Sequence, residues 1–150
     1  MKPSIDLSLF KFSYQIHARW SDMDELHHIN NAVYLSYLED ARGRYLHFAA
    51  DWDWMVDGII LANLNINYHS PMHFLNEAKV YVRCSKVGNK SFELQYIVAG
   101  INNQKEEVVF ASAESTQVMF DYKSNTSVLI PDHLRVKLNS FDSQYTFIKA

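Results

Sequence analysis

The sequence has little cysteine, no excess of positive charge and no long apolar run. Cys84 is the only cysteine, so the chain can form no internal disulfide and has no paired-cysteine zinc motif. No apolar run approaches the roughly 20 residues that a membrane-spanning helix needs. The formal net charge of -3 argues against nucleic acid or an anionic membrane as a general partner, because such binders normally carry a basic excess.

The N-terminal segment and the composition indicate a folded cytoplasmic protein. The segment MKPSIDLSLFKF has neither a sustained apolar core nor a small-residue cleavage site, so we expect no secretory signal and a cytoplasmic location. Apolar residues make up 48% and charged residues 21% of the 150 residues, which is ordinary globular composition. The chain shows no internal repeat, low-complexity tract or linker. We therefore predict a single domain over residues 1–150.

Hydrophobic periodicity predicts one strand followed by one long helix. Apolar and polar residues alternate over 12–20, FSYQIHARW, as they do on a half-buried strand. Beyond the polar run SDMDELHHINN the spacing changes to three and four residues, which predicts a helix near 31–49 with Asn30 or Asn31 as its N-cap. The apolar face of that helix consists of Val33, Tyr34, Tyr37, Leu38, Ala41, Tyr45 and Phe48.

Alternation returns after the helix and predicts an antiparallel sheet. We expect strands at 62–68, 78–87, 91–101 and 106–121, of which the second and third are joined by the short turn GNK. A short helix is predicted at 132–138, after Pro131. One strand, one helix and four strands joined by turns indicate an α+β fold with the helix covering one sheet face.

The polar run and the start of the helix resemble a known family. Residues 19–42, RWSDMDELHHINNAVYLSYLEDAR, contain Asp-x-Asp, a loop with His and Asn-Asn, and a helix with Tyr-x-x-Tyr-x-Glu-x-Ala-Arg. This resembles the signature of the 4-hydroxybenzoyl-CoA thioesterase-like group of hotdog-fold acyl-CoA thioesterases. Weaker similarities follow in the family's order in NINYHSPMHFLNEAKVYVR, GNKSFELQY and FDYKSNTSVLIP, so the resemblance covers about residues 12–135.

The resemblance implies a hotdog fold, in which an antiparallel sheet of about five strands wraps around the helix at 31–49. It also implies a homodimer or homotetramer, with active sites at the interface between subunits. The expected activity is hydrolysis of an acyl-CoA thioester to a free acid and CoA. Acyl carrier protein is a possible alternative to CoA as the acyl carrier, although the negative charge of this chain disfavours so acidic a partner.

The family's catalytic residues correspond to positions in the polar run. The resemblance makes Asp24 the nucleophile or general base, and a helix N-terminus beside a carboxylate suits this chemistry because its free N–H groups can hold an oxyanion. The oxyanion donor corresponds to the backbone N–H of Asn31. His28 is expected to order the loop or to contact the thioester. The residues expected to support this centre are Asp22, Asn30 and Tyr34.

Several neighbouring positions need a separate interpretation. His27 stands where the family usually has Gly, which can supply a positive φ or room for substrate. Glu39 lies about 12 Å along the helix axis from Asn31, so we expect it to pair with Arg42 rather than to act on an oxyanion. Asp22 and Asp24 have no evident third ligand, and no metal or cofactor is expected.

The ligand-binding surfaces are predicted less directly. Lys90 matches a position that is often basic near the CoA nucleotide of family members, and the adjoining candidates are Ser91, Lys86 and Arg83. Trp52, Trp54 and Met55 are expected either to line an acyl tunnel or to close the core. Two alternative functions stay open from the sequence. One is a non-catalytic acyl-thioester-binding protein, and the other is a hotdog dehydratase or hydratase.

Overall fold

A computed structural model describes residues 5–142 of the protein. One long helix follows a short first strand, and the remaining strands follow the helix in an antiparallel meander. The elements, besides two short 3-10 turns, are β1 Phe12–Gln15, α1 Val33–Ala50, β2 Ile59–Tyr68, β3 Glu77–Val87, β4 Ser91–Ile101, β5 Glu107–Asp121, β6 Thr126–Ser127 and α2 Asp132–Asp142.

The sheet has the strand order β1-β3-β4-β5-β2, and every neighbouring pair is antiparallel. The two-residue strand β6 pairs with the end of β5. The apolar face of α1, which includes Leu38, Ala41 and Tyr45, is buried with the inward-facing residues of β3, β4 and β5 in one core. Burial of this face against the sheet, rather than helix propensity, is what stabilises α1. The predicted α+β hotdog is therefore confirmed.

The first strand is shorter than predicted. Alternation holds from Phe12 to Ile16, whose N–H still donates to Ala78 O at 2.9 Å, but the chain then turns into a 3-10 turn at 20–22. Trp20 is consequently 68% exposed and lies edge-on to Phe74, with ring centroids 5.2 Å apart. The prediction of a strand through residue 20 was wrong because the bonds of Asp22, described below, bend the chain.

Two further predictions from the sequence differ from the structure. Within residues 5–142, Glu39 forms no ion pair with Arg42, and the Arg42 guanidinium interacts instead with the Tyr96 hydroxyl. Trp54 and Met55 are each 72% exposed, so they neither close the core nor line a tunnel within this chain. The predicted helix at 132–138 exists and extends to 142. No helix in the described part of the chain is both long and apolar enough to cross a membrane.

Candidate active site

Residues 23–29 form a tight hairpin, the Asp24 hairpin, between the 3-10 turn at 20–22 and the start of α1. Its ends pair through an antiparallel bridge, and the Asp24 N–H donates to His28 O at 2.9 Å. The His27 N–H donates back to Asp24 O at 3.0 Å, and His27 has a φ of 59°. A turn followed by one left-handed residue is a common way to close such a hairpin. The position where the family usually has Gly thus does need a positive φ, which His27 supplies.

The hairpin also orients the Asp24 carboxylate. Asp24 Oδ1 accepts a hydrogen bond from the Leu26 N–H at 2.9 Å, which fixes the side chain against its own turn. Asp24 Oδ2 has no hydrogen-bond partner within residues 5–142. One oxygen therefore holds the carboxylate in position while the other is available to a ligand.

The start of α1 presents a backbone donor beside this carboxylate. Ala32, and not Asn30 or Asn31 as predicted, is the N-cap of α1; Asn30 closes the turn before it, because its Oδ1 accepts from the Ala32 N–H and its carbonyl accepts from the Val33 N–H, both at 2.9 Å. The Asn31 N–H makes no hydrogen bond in the described part of the chain. The Tyr68 hydroxyl donates to Asn31 O at 2.8 Å and so holds this peptide from β2. The helix N-terminus favours negative charge at this free N–H.

The buried residue Asp22 holds the Asp24 hairpin in place against α1. It is only 3% exposed, and its carboxylate accepts hydrogen bonds from the Tyr37 hydroxyl at 2.7 Å and from the Arg19 N–H and guanidinium at 2.9–3.2 Å. Its carbonyl accepts from the Asn30 N–H at 2.9 Å. Burial raises the pKa of Asp22, but the bonds from Arg19 and Tyr37 outweigh this and hold the pKa below its ordinary value. An ionised Asp22 thus ties the hairpin to α1.

A cavity of about 360 Å³, the Asp24 cavity, lies between the hairpin, the start of α1 and the end of β2. It brings together four of the residues predicted from the sequence as site residues: Asp24, His28, Asn31 and Tyr34. The whole lining consists of Asp24, Leu26, His28, Ile29, Asn31, Tyr34, Tyr68, His69, Ser70 and Pro71. Sequence reasoning did not assign residues 68–71 to the site, although their Tyr-x-x-Pro motif is part of the resemblance and is the signal that could have found them.

Tyr34 is buried at the wall of the Asp24 cavity. Its ring lies edge-on to Tyr68, with centroids 5.2 Å apart. Burial raises the pKa of Tyr34, and Tyr68 raises it further, so the hydroxyl stays protonated at neutral pH. This hydroxyl makes no hydrogen bond to another residue among 5–142, which leaves it available as a donor to a ligand.

A larger cavity, of about 520 Å³, lies over the opposite face of the sheet. Its charged groups are already paired, because Arg83 Nε donates to Gln95 Oε1 at 2.7 Å and Gln95 Nε2 donates to Glu114 Oε1 at 3.2 Å. Its other carboxylate, Asp6, accepts hydrogen bonds from the Ser8 N–H and hydroxyl, and none of the site residues predicted from the polar run lines it. We therefore regard the smaller Asp24 cavity as the candidate active site.

Comparison with known proteins identifies the family of this chain. The family model of the Thioesterase-like superfamily matches residues 18–138. The chain belongs to that superfamily. The long-chain acyl-CoA thioesterase FadM of Escherichia coli is 31% identical over 127 residues, which are 83% of this chain and 94% of the relative. The family resemblance inferred from the sequence is thus confirmed, and this thioesterase-like chain is a thioester hydrolase.

Solved structures of thioesterases share the fold. A thioesterase from Thermus thermophilus, complexed with coenzyme A and Zn, has 26% identity and a TM-score of 0.76, covering 89% of this chain and 96% of its own. A mutant 4-hydroxybenzoyl-CoA thioesterase complexed with 4-hydroxybenzoyl-CoA has a TM-score of 0.77, covering 85% of this chain and 97% of its own. At 12% identity the second likeness concerns the fold alone.

The predicted CoA-binding residues of this thioesterase-like chain lie far from the Asp24 cavity. Tyr68 of the cavity is level with Val98 of β4 through Ala111 of β5, so Ser91, which begins β4, is about 23 Å along the strand from the cavity. Lys90 Nζ donates to Ser127 O at 3.4 Å, and Lys86 Nζ is 3.8 Å from Glu93 Oε1. Arg83 faces the opposite side of the sheet, as described above. One chain does not bring these residues to the site, and their role in CoA binding stays a prediction.

The described residues contain no group of three or more His, Cys, Asp and Glu side chains arranged to hold a metal ion. Both carboxylate oxygens of Asp22 are occupied by Arg19 and Tyr37.

Proposed function

We propose that the protein is an acyl-CoA thioesterase whose reaction takes place in the Asp24 cavity. The observation that carries this proposal is that one cavity is lined by Asp24, whose Oδ2 is unpaired, and by Asn31, whose N–H is unpaired, within residues 5–142. Hydrolysis of a thioester needs a base or nucleophile on one side of the carbonyl and a donor for the oxyanion on the other. The relative FadM, a long-chain acyl-CoA thioesterase, supports a CoA thioester as the substrate.

Two routes use the same groups. As a general base, Asp24 takes a proton from water, and the resulting hydroxide adds to the thioester carbon. As a nucleophile, Asp24 adds to that carbon itself, and water then hydrolyses the acyl-enzyme anhydride. In both routes the carbonyl oxygen becomes an oxyanion held by the Asn31 N–H, and collapse breaks the C–S bond and expels the CoA thiolate. The thiolate takes its proton from Asp24 in the general-base route and from water in the nucleophilic route. Tyr34 and His28 border the substrate, while Asp22 and Asn30 position the two reacting groups.

Asp24→Asn is the first test, in a thiol-release assay over acyl-CoAs from short to long chains. We expect turnover to fall about 10³-fold, because a base or nucleophile is lost. The hairpin should be retained, since the amide oxygen can still accept from the Leu26 N–H. Asp53→Asn is a matched control, because Asp53 Oδ1 accepts from the Met55 N–H at 2.9 Å in an equivalent turn. Equal activity of the two variants would contradict the assignment of Asp24.

The oxyanion donor requires a substitution that removes a backbone N–H. Asn31 precedes the N-cap Ala32, and its N–H makes no hydrogen bond within residues 5–142, so a proline there removes no hydrogen bond of the fold. Asn31→Pro should therefore keep the fold and lower kcat about 10²–10³-fold, the usual cost of one oxyanion donor. Asn31→Ala keeps the N–H and should cost much less. A proline variant as active as the alanine variant would exclude this N–H as the donor.

The same assay separates the alternative functions. A non-catalytic acyl-thioester-binding protein would bind acyl-CoA without releasing thiol, and Asp24→Asn would leave binding intact. A dehydratase or hydratase would convert 3-hydroxyacyl-CoA or enoyl-CoA without releasing thiol. A panel that includes acyl carrier protein thioesters identifies the carrier, with CoA expected to be preferred. The cytoplasmic location stays a prediction from the sequence.

We further propose that the enzyme is a homodimer formed through β2. Within the described sheet β2 is an edge strand of ten residues that pairs only with β5. Antiparallel pairing of two β2 strands about a twofold axis would set the Ile59 end of one beside the Tyr68 end of the other. Lys90 lies near the Ile59 end of β2. Met119 of β5 pairs with Ile59, and the Met119 N–H donates to Lys90 O at 2.9 Å. A partner's Lys90 would therefore approach the Asp24 cavity.

The dimer is tested by light scattering with size-exclusion chromatography. The His69 N–H donates to Phe110 O of β5, so the alternate residue Asn67 also faces β5 and the N–H of Ile66 points to the free edge. Ile66→Pro should therefore block the edge and keep the β2–β5 ladder, which converts the dimer to monomer and abolishes turnover. Lys90→Ala should raise KM for acyl-CoA without changing kcat if the partner's Lys90 contacts CoA. A monomer at micromolar concentration that turns over acyl-CoA normally would rule out a site shared between subunits.

A further inference from the structure

A second cavity, of about 340 Å³, adjoins the Asp24 cavity. We call it the amide cavity after its lining, which consists of His27, His28, Ser70, Pro71, His73, Asn76, Asn102, Asn103 and Gln104. The two cavities share His28, Ser70 and Pro71. A ligand whose reacting atom sits beside Asp24 can therefore extend past His28 into the amide cavity without leaving the surface of this chain.

The lining of the amide cavity contains carboxamides and imidazoles and no carboxylate. Part of it is held rigid, because Asn76 Oδ1 accepts from the His73 N–H and Asn76 Nδ2 donates to Asn103 Oδ1, both at 2.7 Å. The side chains of His27 and Gln104 make no hydrogen bond to other described residues. These two side chains are free to bond a ligand, while the side chains of Asn76 and Asn103 are fixed by their own hydrogen bonds.

The position of His73 adds a donor. Its Nδ1 accepts a hydrogen bond from the Leu75 N–H at 3.2 Å, so in the neutral ring the proton is on Nε2. The amide cavity thus offers imidazole and carboxamide donors together with carboxamide acceptors. Groups of this kind match a flexible chain of amides and hydroxyls better than they match an apolar acyl chain.

We propose that the amide cavity binds the pantetheine arm of the thioester substrate. A thioester has two arms, and the pantetheine arm carries two amides and a hydroxyl that such a lining can bond. The walls contributed to the Asp24 cavity by Ile29, Tyr34 and Tyr68 are aromatic or aliphatic and suit the acyl side. This inference rests on the proposed thioesterase reaction, and it makes His27 and Gln104 binding residues for the pantetheine arm that both carriers share.

The proposal differs from the prediction that Lys90 and its neighbours bind CoA. Those residues can reach the site only from a partner subunit, whereas the amide cavity belongs to the same chain as Asp24. Pantetheine is common to CoA and to the prosthetic group of acyl carrier protein. Relative kcat/KM values for the two carriers with one acyl group identify which source supplies the arm.

The test compares three thioesters of one acyl group: the CoA thioester, the pantetheine thioester and the S-ethyl thioester, which lacks the arm. The variant is His27→Gly combined with Gln104→Leu, and Asn125→Gly is the matched control, since Asn125 also has a positive φ, of 56°, in a distant turn. We expect the ratio of kcat/KM for each armed substrate to that for the S-ethyl thioester to fall about tenfold in the double variant, the effect of one or two lost hydrogen bonds. The control should keep the wild-type ratio.

Binding of free CoA and of pantetheine, measured by calorimetry, gives a second readout that needs no turnover. Both Kd values should rise about tenfold in the double variant. Unchanged Kd values would overturn the proposal, and so would an equal fall in kcat/KM for all three substrates. The proposal would also be overturned if kcat/KM for the armed substrates fell only in Lys90→Ala. Failure of the thioesterase reaction itself is seen separately, as absence of any thiol release that depends on Asp24.

Discussion

Replacement of Asp22 by asparagine tests whether the buried carboxylate beneath the active site holds it together. The contact between Asp22 and the Arg19 guanidinium is partly solvated, because the Arg19 side chain is 78% exposed, and we assign it little energy. The bonds from the Tyr37 hydroxyl and the Arg19 N–H are made to a buried charged acceptor, and such bonds contribute about 1.5–3 kcal/mol each.

Asparagine keeps one oxygen and introduces an NH₂ group. If the oxygen faces Tyr37 and the Arg19 N–H, the NH₂ opposes the guanidinium; if it faces the other way, two donors lose their acceptor. Either orientation should lower the free energy of unfolding by about 2 kcal/mol at pH 7. Activity should fall as well, because Asp22 also holds the peptide of Asn30 at the start of α1.

The stability difference between wild type and Asp22→Asn should become smaller as the pH falls. A carboxyl whose folded-state pKa is depressed stabilises the protein above its unfolded pKa, close to 3.8, and loses that contribution as the pH falls through the lower folded value. Urea unfolding should therefore show a difference of about 2 kcal/mol between wild type and Asp22→Asn at pH 7 and a smaller one near pH 3. Tyr37→Phe should cost about 1.5 kcal/mol alone and less in the Asp22→Asn background. A stability difference that stays constant from pH 7 to pH 3 would refute the reasoning.

Three other predictions concern single positions. His27→Gly should raise the free energy of unfolding by about 1 kcal/mol in urea, because φ is 59° there; a loss of stability would mean that the His27 side chain holds the hairpin. Gly100→Ala should cost about 3 kcal/mol in the same measurement, since a Cβ would lie 1.8 Å from Glu77 O; a variant as stable as wild type would show that β3 and β4 can separate there. Burial and a nearby carboxylate raise the pKa of Cys84 to about 12. Ellman's reagent at pH 8 should therefore label Cys84 only as fast as the protein unfolds, and fast labelling of native protein would contradict this.

The architecture could be predicted because its main signals are local. The three- and four-residue period of α1 and the two-residue period of β3 and β4 each arise within one element, and the turns between strands are short. The early end of β1 could not be seen in this way. Trp20 continues the alternation in sequence, but the bonds between Arg19 and Asp22 bend the chain away from the sheet, and pairings of side chain with backbone leave no periodic signal.

The candidate site was predicted as far as it is contiguous in sequence. Asp24, His28, Asn31 and Tyr34 lie within one short segment, and the structure gives them a common cavity. The hydroxyl of Tyr68, which holds the Asn31 peptide, comes from a residue 37 positions away and depends on how β2 packs beside α1. The position of Lys90 could not be predicted, because a resemblance at one position does not say at which end of the sheet that residue lies.

The free edge of β2 has a consequence for handling the protein. Alternate residues of the ten in β2 point their backbone N–H and C=O groups away from β5, and, with no proline in the strand, these unpaired groups form a template on which any extended chain can add. Substitutions that prevent two copies from meeting there should therefore yield aggregates unless they also block the strand, as a proline does. Loss of solubility during expression would then be the first visible sign of a broken interface, before any change in catalysis is measured.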